Sequence, residues 1–162
     1  MASVATPVQA VPKGFAAPTP YLAIDGAAKA IDFYKSVFGA KEISRHEMEG
    51  KIGHAELEIG GGHIMLADEF PEMNFRSPAT YGGSAVLLHL YVEDVDAVAG
   101  RAVSSGATIV RKVENQFYGD RSGQFRDPFG HVWNVSTHVE DVTPEEIERR
   151  SKAYVEAQAA KA

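Results

Sequence analysis

The segment Phe38-Gly39-Ala40-Lys41 is matched 67 positions later by Ser105-Gly106-Ala107-Thr108. In each copy, a stretch with apolar residues at helical spacing ends at the glycine, and a strand-like stretch follows. The same order of elements surrounds each glycine: strand, helix, strand, strand, strand. The sequence therefore predicts two copies of one βαβββ module, at residues 19–69 and 84–140.

The elements of the first module follow from its apolar periodicity. Tyr21-Leu22-Ala23-Ile24 is a short strand, and a helix runs from Ala27 to its C-terminal stop at Gly39. Apolar and polar residues alternate over residues 52–59, which is typical of a half-buried strand. A triple-glycine turn then leads into a returning strand at residues 63–68.

The second module repeats this order. A strand-like run at residues 86–92 is followed by Asp94, which can cap the next helix. That helix ends near Gly106, and the turn Asp127-Pro128-Phe129-Gly130 separates the last two strands, with the final strand at residues 131–137.

One module alone leaves an apolar sheet face uncovered, so the two copies are expected to pair. The predicted fold class is α+β: a curved, incompletely closed mixed sheet around a cleft, with the helices outside. Residues 1–18 contain three prolines among small residues and are interpreted as a flexible arm. Residues 141–162 are predicted to form an extra C-terminal helix, with Thr143 as its cap and Pro144 at its first position.

Composition excludes several classes of function. The chain has 162 residues, 44% of them apolar and 23% charged, as in an average globular protein. It has no cysteine, which excludes disulfides, thiolate zinc sites and iron–sulfur clusters. A net charge of −6 argues against nucleic-acid or anionic-membrane partners. No apolar run is long enough for a membrane span and no signal peptide is recognisable, so a cytoplasmic location is expected.

The chain resembles the vicinal oxygen chelate superfamily, which includes glyoxalase I, bleomycin-resistance proteins and extradiol dioxygenases. The motifs that carry the resemblance are Ala30-Ile31-Asp32-Phe33-Tyr34, Gly53-His54-Ala55-Glu56-Leu57, Met65-Leu66-Ala67-Asp68-Glu69 and Arg126-Asp127-Pro128-Phe129-Gly130-His131. The likeness covers about residues 19–140 and is closer to the PhnB-like branch. It implies a small-molecule cleft and a homodimer, and it leaves the chemistry open because the fold hosts many activities.

The resemblance also implies where a metal would bind. Metal-dependent members hold a divalent ion with one side chain from the first and one from the last strand of each module. Those positions correspond to Thr19, Leu66, Leu87 and Asn134, which are not a chelating set. No metal cofactor is therefore expected at the usual place. A relocated divalent-metal site remains an alternative, with His54, Glu56 and His89 as its ligands.

The candidate ligand-binding residues are those expected to face the cleft or its rim. They are Leu66, Leu87, Tyr91, Tyr118, Arg121, Asn134 and His138. Leu87, His89 and Tyr91 alternate along one strand and so share one face. Arg121 either grips a carboxylate or phosphate at the rim, or pairs with Asp120 and stiffens the loop.

The long connection between the modules carries three aromatic residues, Phe70, Phe75 and Tyr81. They are interpreted as a lid on an apolar cavity, as a dimer contact, or as part of a loop that merely adheres to the surface.

Three functions are compatible with the sequence. The first is a glyoxalase/bleomycin-resistance-like protein that binds a small planar or aromatic molecule in its cleft. The alternative is a lyase or isomerase with His54 or His89 as catalytic base and Glu56 orienting it, with or without a divalent metal. The third is a structural or regulatory dimer without a ligand.

Overall fold

The computed structural model describes residues 8–160. The parts of the predicted arm and C-terminal helix at residues 1–7 and 161–162 lie outside the described residues. The first module consists of β1 (Tyr21–Ile24), α1 (Ala27–Phe38), β2 (Lys41–Met48), β3 (Lys51–Ile59) and β4 (Gly62–Asp68). The connection carries a short 3-10 helix (Pro71–Met73) and a one-turn helix, α2 (Pro78–Tyr81). The second module consists of β5 (Leu87–Tyr91), α3 (Val95–Ser104), β6 (Thr108–Asn115), β7 (Asp120–Arg126) and β8 (Val132–His138), and α4 (Pro144–Ala159) follows.

The two modules have the same topology. The first forms a four-stranded sheet in the order β1-β4-β3-β2, and the second forms a sheet in the order β5-β8-β7-β6. In each sheet the first strand is parallel to the last, and the remaining neighbours are antiparallel. The sheets are not closed. The predicted α+β fold, built from a repeated βαβββ unit, is confirmed.

Each module fixes its helix with side chains that satisfy free backbone groups at the helix start. Oδ1 of Asp68 accepts from the backbone N–H groups of Gly26 and Ala27, at 3.1 and 2.8 Å. In the second module, Asp94 caps α3 as predicted, accepting from Ala97 N at 3.0 Å. Thr137 Oγ1 accepts from Val95 N at 2.9 Å. These contacts attach each helix to the last strand of its own sheet.

One continuous core joins the modules. Helix α1 packs on α3, and its aromatic side chains reach the second sheet: the ring of Phe38 lies 4.5 Å from that of Trp133. Tyr34 lies 5.4 Å from Trp133 and is fully buried. The Tyr34 hydroxyl donates to Oδ2 of Asp127, in the turn before β8, at 2.8 Å. Trp133 itself is buried in this core.

The segments outside the modules are attached by few contacts. Residues 8–20 form no helix or strand, and the Phe15 ring lies 4.8 Å from that of His63. Helix α4 begins as predicted at Thr143 and Pro144, and Arg150 binds both Glu140 and Glu146. Within residues 8–160, none of the helices has the length and apolarity needed to cross a membrane.

Candidate functional site

Each sheet has one face turned away from the helices, which is called its open face below. On β5, Leu88 and Leu90 pack against the core, whereas Leu87 and Tyr91 are 47% and 56% exposed. His89 shares their side of the strand. The predicted alternation of this strand is therefore confirmed, and Leu87, His89 and Tyr91 lie on the open face of the second sheet.

Strand pairing shows which residues of the two modules are equivalent. Asp68 and Thr137 both cap the helix of their own module from the end of the last strand. When the last strands of the two modules are aligned on these two residues, Met65 corresponds to Asn134. Their partners on the neighbouring parallel strands, Tyr21 and His89, then correspond to each other. These four residues, two from each module, occupy matching places on the two open faces.

The prediction that Leu66 lines the cleft is wrong. Leu66 is fully buried in the core, on the side of β4 that faces the helices. The error is one residue of register, which turns a strand side chain to the opposite face. Met65 and Ala67 take the open-face positions of β4.

The open face of the first module carries an apolar pocket of about 380 Å³. Its walls come from β1, the β2–β3 hairpin, β4 and the connection that follows. They include Tyr21, Met48, Ala67, Phe70, Met73 and Phe75. Of these side chains only the Tyr21 phenol carries a polar group, so the pocket is suited to an apolar or aromatic occupant.

Backbone and side-chain hydrogen bonds hold the pocket's roof in place. Phe70 and Phe75 exchange two backbone bonds of 2.7 and 3.1 Å, which close the short loop that contains the 3-10 helix. Glu69, just before it, accepts from Ser77 N at 2.8 Å and from Thr80 Oγ1 at 3.1 Å. The backbone N–H of Ser77 lowers the pKa of Glu69, so this anchoring carboxylate stays ionised. Of the three interpretations of the aromatic connection, a lid over an apolar cavity agrees with Phe70 and Phe75 lining the pocket.

The first module also holds the histidine predicted to act as a base. Nδ1 of His54 lies 2.9 Å from the Tyr21 hydroxyl at the pocket wall. Partial burial raises the pKa of Tyr21, so its phenol stays protonated at neutral pH. Glu56 does not orient His54 as predicted. Its carboxylate instead binds Nδ1 of His63 at 2.8 Å.

The open face of the second module carries a polar network centred on Asn134. Its Oδ1 accepts from Nη2 of Arg111 at 3.0 Å, and its Nδ2 lies 2.8 Å from Nδ1 of His89. Because the amide oxygen is taken by the guanidinium, the amide N–H is left to donate to His89. Nδ1 of His89 is then an acceptor, and the neutral ring carries its proton on Nε2.

A second polar group lies at the end of the same face. The buried carboxylate of Asp120 accepts from the Tyr91 hydroxyl at 2.7 Å and binds Nδ1 of His138 at 2.8 Å. Nε2 of His138 lies 2.9 Å from Asp141. The hydrogen bond with Asp120, followed by that with Asp141, raises the pKa of His138 above its usual value. The structure thus brings Tyr91 and His138 together through Asp120.

Arg121 does not face this network. It lies on the helix side of β7, and its Nε and Nη2 bind Asp96 of α3 at 2.6 and 2.7 Å. The predicted partner Asp120 is also wrong, since Asp120 has the opposite orientation on the strand. Tyr118 lies in the turn before β7, where its ring packs on Phe117 at 5.3 Å. Arg111 lies on the open face instead, where it bonds Ser122 and Asn134.

The residues at the family's metal positions do not fit a divalent ion. If Asn134 is one of the four positions that the resemblance implies, strand pairing gives Tyr21, Met65 and His89 as the others, in place of the expected Thr19, Leu66 and Leu87. The four offer a phenol, a thioether, one imidazole and an amide, without a carboxylate. His54, Glu56 and His89 do not assemble a relocated site either, because each has a different partner. Within residues 8–160, no three His, Asp or Glu side chains are grouped closely enough to hold a metal.

Comparison with known proteins agrees with the two-module architecture. The family model described as "Glyoxalase/Bleomycin resistance protein/Dioxygenase superfamily" matches residues 17–135. The uncharacterized protein Mb0911c of Mycobacterium bovis is 44% identical over 134 residues, which cover 80% of this chain and 88% of that protein.

Two solved structures share the fold over most of the chain. TioX from Micromonospora sp. ML1 has a TM-score of 0.60 and 27% identity, over 79% of this chain and 100% of that chain. A gene product from Arabidopsis thaliana has a TM-score of 0.61 and 28% identity, over 75% of this chain and 98% of that chain.

Proposed function

The chain belongs to the Glyoxalase/Bleomycin resistance protein/Dioxygenase superfamily, and from this premise we propose that it binds a small planar aromatic molecule without a metal ion. The binding site is the pocket on the open face of the first module. The observation that carries the proposal is the volume of about 380 Å³ beneath Phe70 and Phe75, walled by aromatic and thioether side chains.

The chemistry of the walls supports this choice of ligand. Tyr21 and Phe75 meet edge to face with their centroids 5.3 Å apart, an arrangement that leaves ring faces available for stacking. Met48 and Met73 add flexible, polarizable sulfur groups that adapt to flat ligands. The Tyr21–His54 pair supplies a polar contact that fixes the ligand's orientation.

Membership of the superfamily also bears on the branch, the oligomeric state and the partners of the protein. The motifs around His54 and Asp127 support membership of the PhnB-like branch. We also propose a homodimer, because chains of this superfamily often pair. The acidic net charge favours a small-molecule partner over nucleic acid or membrane, and the cysteine-free sequence is in keeping with the cytoplasm.

A lyase or isomerase is the second candidate, and one contact favours it. The Tyr21 hydroxyl and Nδ1 of His54 are 2.9 Å apart at the pocket wall, close enough to pass a proton between them. In this role His54 is the catalytic base: it takes the Tyr21 hydroxyl proton while the Tyr21 oxygen takes a proton from the substrate. His89 is less suited, because the partner of its Nδ1 is the Asn134 amide, which does not exchange a proton as a phenol does.

Calorimetric titration with 1-naphthamide, a neutral planar probe, tests the binding proposal. We expect saturable binding by the wild type and its loss in Ala67→Phe, because the new ring occupies the pocket that Ala67 lines. The matched control is Ala153→Phe, which adds the same ring at an exposed position of α4. Equal binding by Ala67→Phe, or no binding by the wild type, contradicts the proposal.

A further inference from the structure

We propose that Arg111, with His89 beside it, binds the carboxylate of a small apolar acid on the open face of the second module. This site is separate from the apolar pocket of the first module, and it goes beyond the function proposed above.

The charge of Arg111 is held by neutral partners. Three of its five N–H groups bond neutral acceptors: Oγ and the backbone oxygen of Ser122, and Oδ1 of Asn134. Within residues 8–160, no carboxylate lies within ion-pair distance of its guanidinium, whereas Arg45 and Arg121 bind carboxylates at 2.6–2.7 Å. A half-buried guanidinium without a counter-ion is costly, and two of its N–H groups remain to receive an anion from solution.

The hydrogen bonds around Arg111 run in one direction, from Arg111 through Asn134 to His89. Arg111 donates to Asn134, and Asn134 donates to His89, so the neutral His89 ring has its remaining proton on Nε2. Arg111 and His89 therefore both have donors left for a ligand. Asn134 is 6% exposed and Ser122 is fully buried, so the acceptors that hold Arg111 are themselves fixed.

Apolar surface lies next to His89, where the rest of the ligand would sit. Leu87 and Tyr91 stand on either side of His89 along β5, and both are about half exposed. The ring of Tyr91 lies 4.9 Å from that of His89. The nearby carboxylate of Asp120 is occupied by Tyr91 and His138. A carboxylate at Arg111 would thus have apolar surface beside it, which favours a carboxylate carried on a small apolar or aromatic body.

The experiment titrates benzoate, and benzamide as its neutral counterpart of the same shape, into the full chain labelled with ¹⁵N-arginine. The side-chain Nε–Hε signals report contacts with each guanidinium, and Arg111→Lys identifies the signal of Arg111. Affinities are also measured for Arg111→Gln and for Arg121→Gln. The second variant removes the same charge from the opposite face of the same sheet.

We expect benzoate to move the Arg111 signal and to bind at least tenfold more weakly to Arg111→Gln, with little change in Arg121→Gln. In Ala67→Phe, whose first-module pocket is filled by the new ring, benzamide should bind at least tenfold more weakly than benzoate. Equal binding of the two probes, an unmoved Arg111 signal, or a loss confined to Arg121→Gln would overturn the proposal. If Arg111→Gln does not fold, the proposal is tested by the wild-type Arg111 signal and by the comparison of benzoate with benzamide.

The two proposals fail separately. If Ala67→Phe loses 1-naphthamide binding but benzoate does not affect the Arg111 signal, the proposal for the first-module pocket stands and the proposal for the carboxylate site is refuted. If benzoate binding depends on Arg111 but 1-naphthamide does not bind, the carboxylate site stands and the proposed function of the first-module pocket is refuted.

Discussion

Replacing Asp127 by asparagine is expected to loosen the junction between the two modules. Asp127 is 3% exposed and accepts four hydrogen bonds. Its Oδ1 takes the backbone N–H groups of Phe129 and His131, both at 3.0 Å. Its Oδ2 takes the Tyr34 hydroxyl at 2.8 Å and Nε1 of Trp133 at 3.0 Å. The carboxylate therefore holds its own turn and attaches helix α1 to the second sheet.

The expected loss follows from counting donors. In Asp127→Asn one oxygen becomes an amide that donates, so two of the four donors lose their acceptor. The Tyr34 hydroxyl can rotate to accept from the new amide, because burial raises the pKa of Tyr34 well above its usual value and keeps it protonated. The Trp133 indole N–H can only donate, so it loses its acceptor. A buried unsatisfied donor costs about 1–3 kcal/mol. With the weakened charge-assisted bonds, the free energy of unfolding should fall by about 2–4 kcal/mol.

Trp133 is the chain's single tryptophan and bonds Asp127 directly, so urea unfolding followed by its fluorescence reports on this junction. The matched control is Asp32→Asn at an exposed position of α1, which should change stability by less than about 0.5 kcal/mol. Tyr34→Phe removes one of the four donors and should cost about 1 kcal/mol. An Asp127→Asn variant as stable as Asp32→Asn would refute the reasoning.

Two further predictions concern the site's surroundings. The raised pKa of His138 means that its bonds with Asp120 and Asp141 stabilise the fold below about pH 6.5, and that this contribution is lost as the pH rises through the folded-state pKa. The unfolding midpoint of wild type should therefore exceed that of His138→Gln at pH 5.5 and approach it at pH 9, and a gap that widens with pH would contradict the assignment. Asp68→Ala leaves three backbone N–H groups without their acceptor and should lower the unfolding free energy by about 2–4 kcal/mol, with exposed Asp25→Ala as the control.

The repeat made the fold predictable, because a helix stop such as Gly39 and an alternating strand such as residues 52–59 are local signals. The caps at Asp94 and Thr143 were predictable for the same reason. The short helices between the modules were not, since Pro71 and Pro78 begin turns that look like loop in sequence.

The site was harder to predict, because it depends on strand register. Bulges interrupt the pairing of β6 with β7 on both sides of Arg111. The alternation of residues along β6 therefore could not predict on which face of the sheet the Arg111 side chain lies. The Leu66 error has the same origin, as one residue of register exchanges Leu66 for Met65. Met48 and Met73 are separated widely in sequence, and only the folded connection brings them to one pocket.

The central claim is that the first-module pocket binds a planar aromatic molecule without a metal. The most direct test follows the ¹³C-methyl signals of methionine while 1-naphthamide is added in the presence of EDTA. The account predicts saturable shifts of Met48 and Met73, identified by Met48→Leu and Met73→Leu, with the same affinity after zinc replaces EDTA. Unmoved Met48 and Met73 signals, or shifts that require zinc, would contradict it.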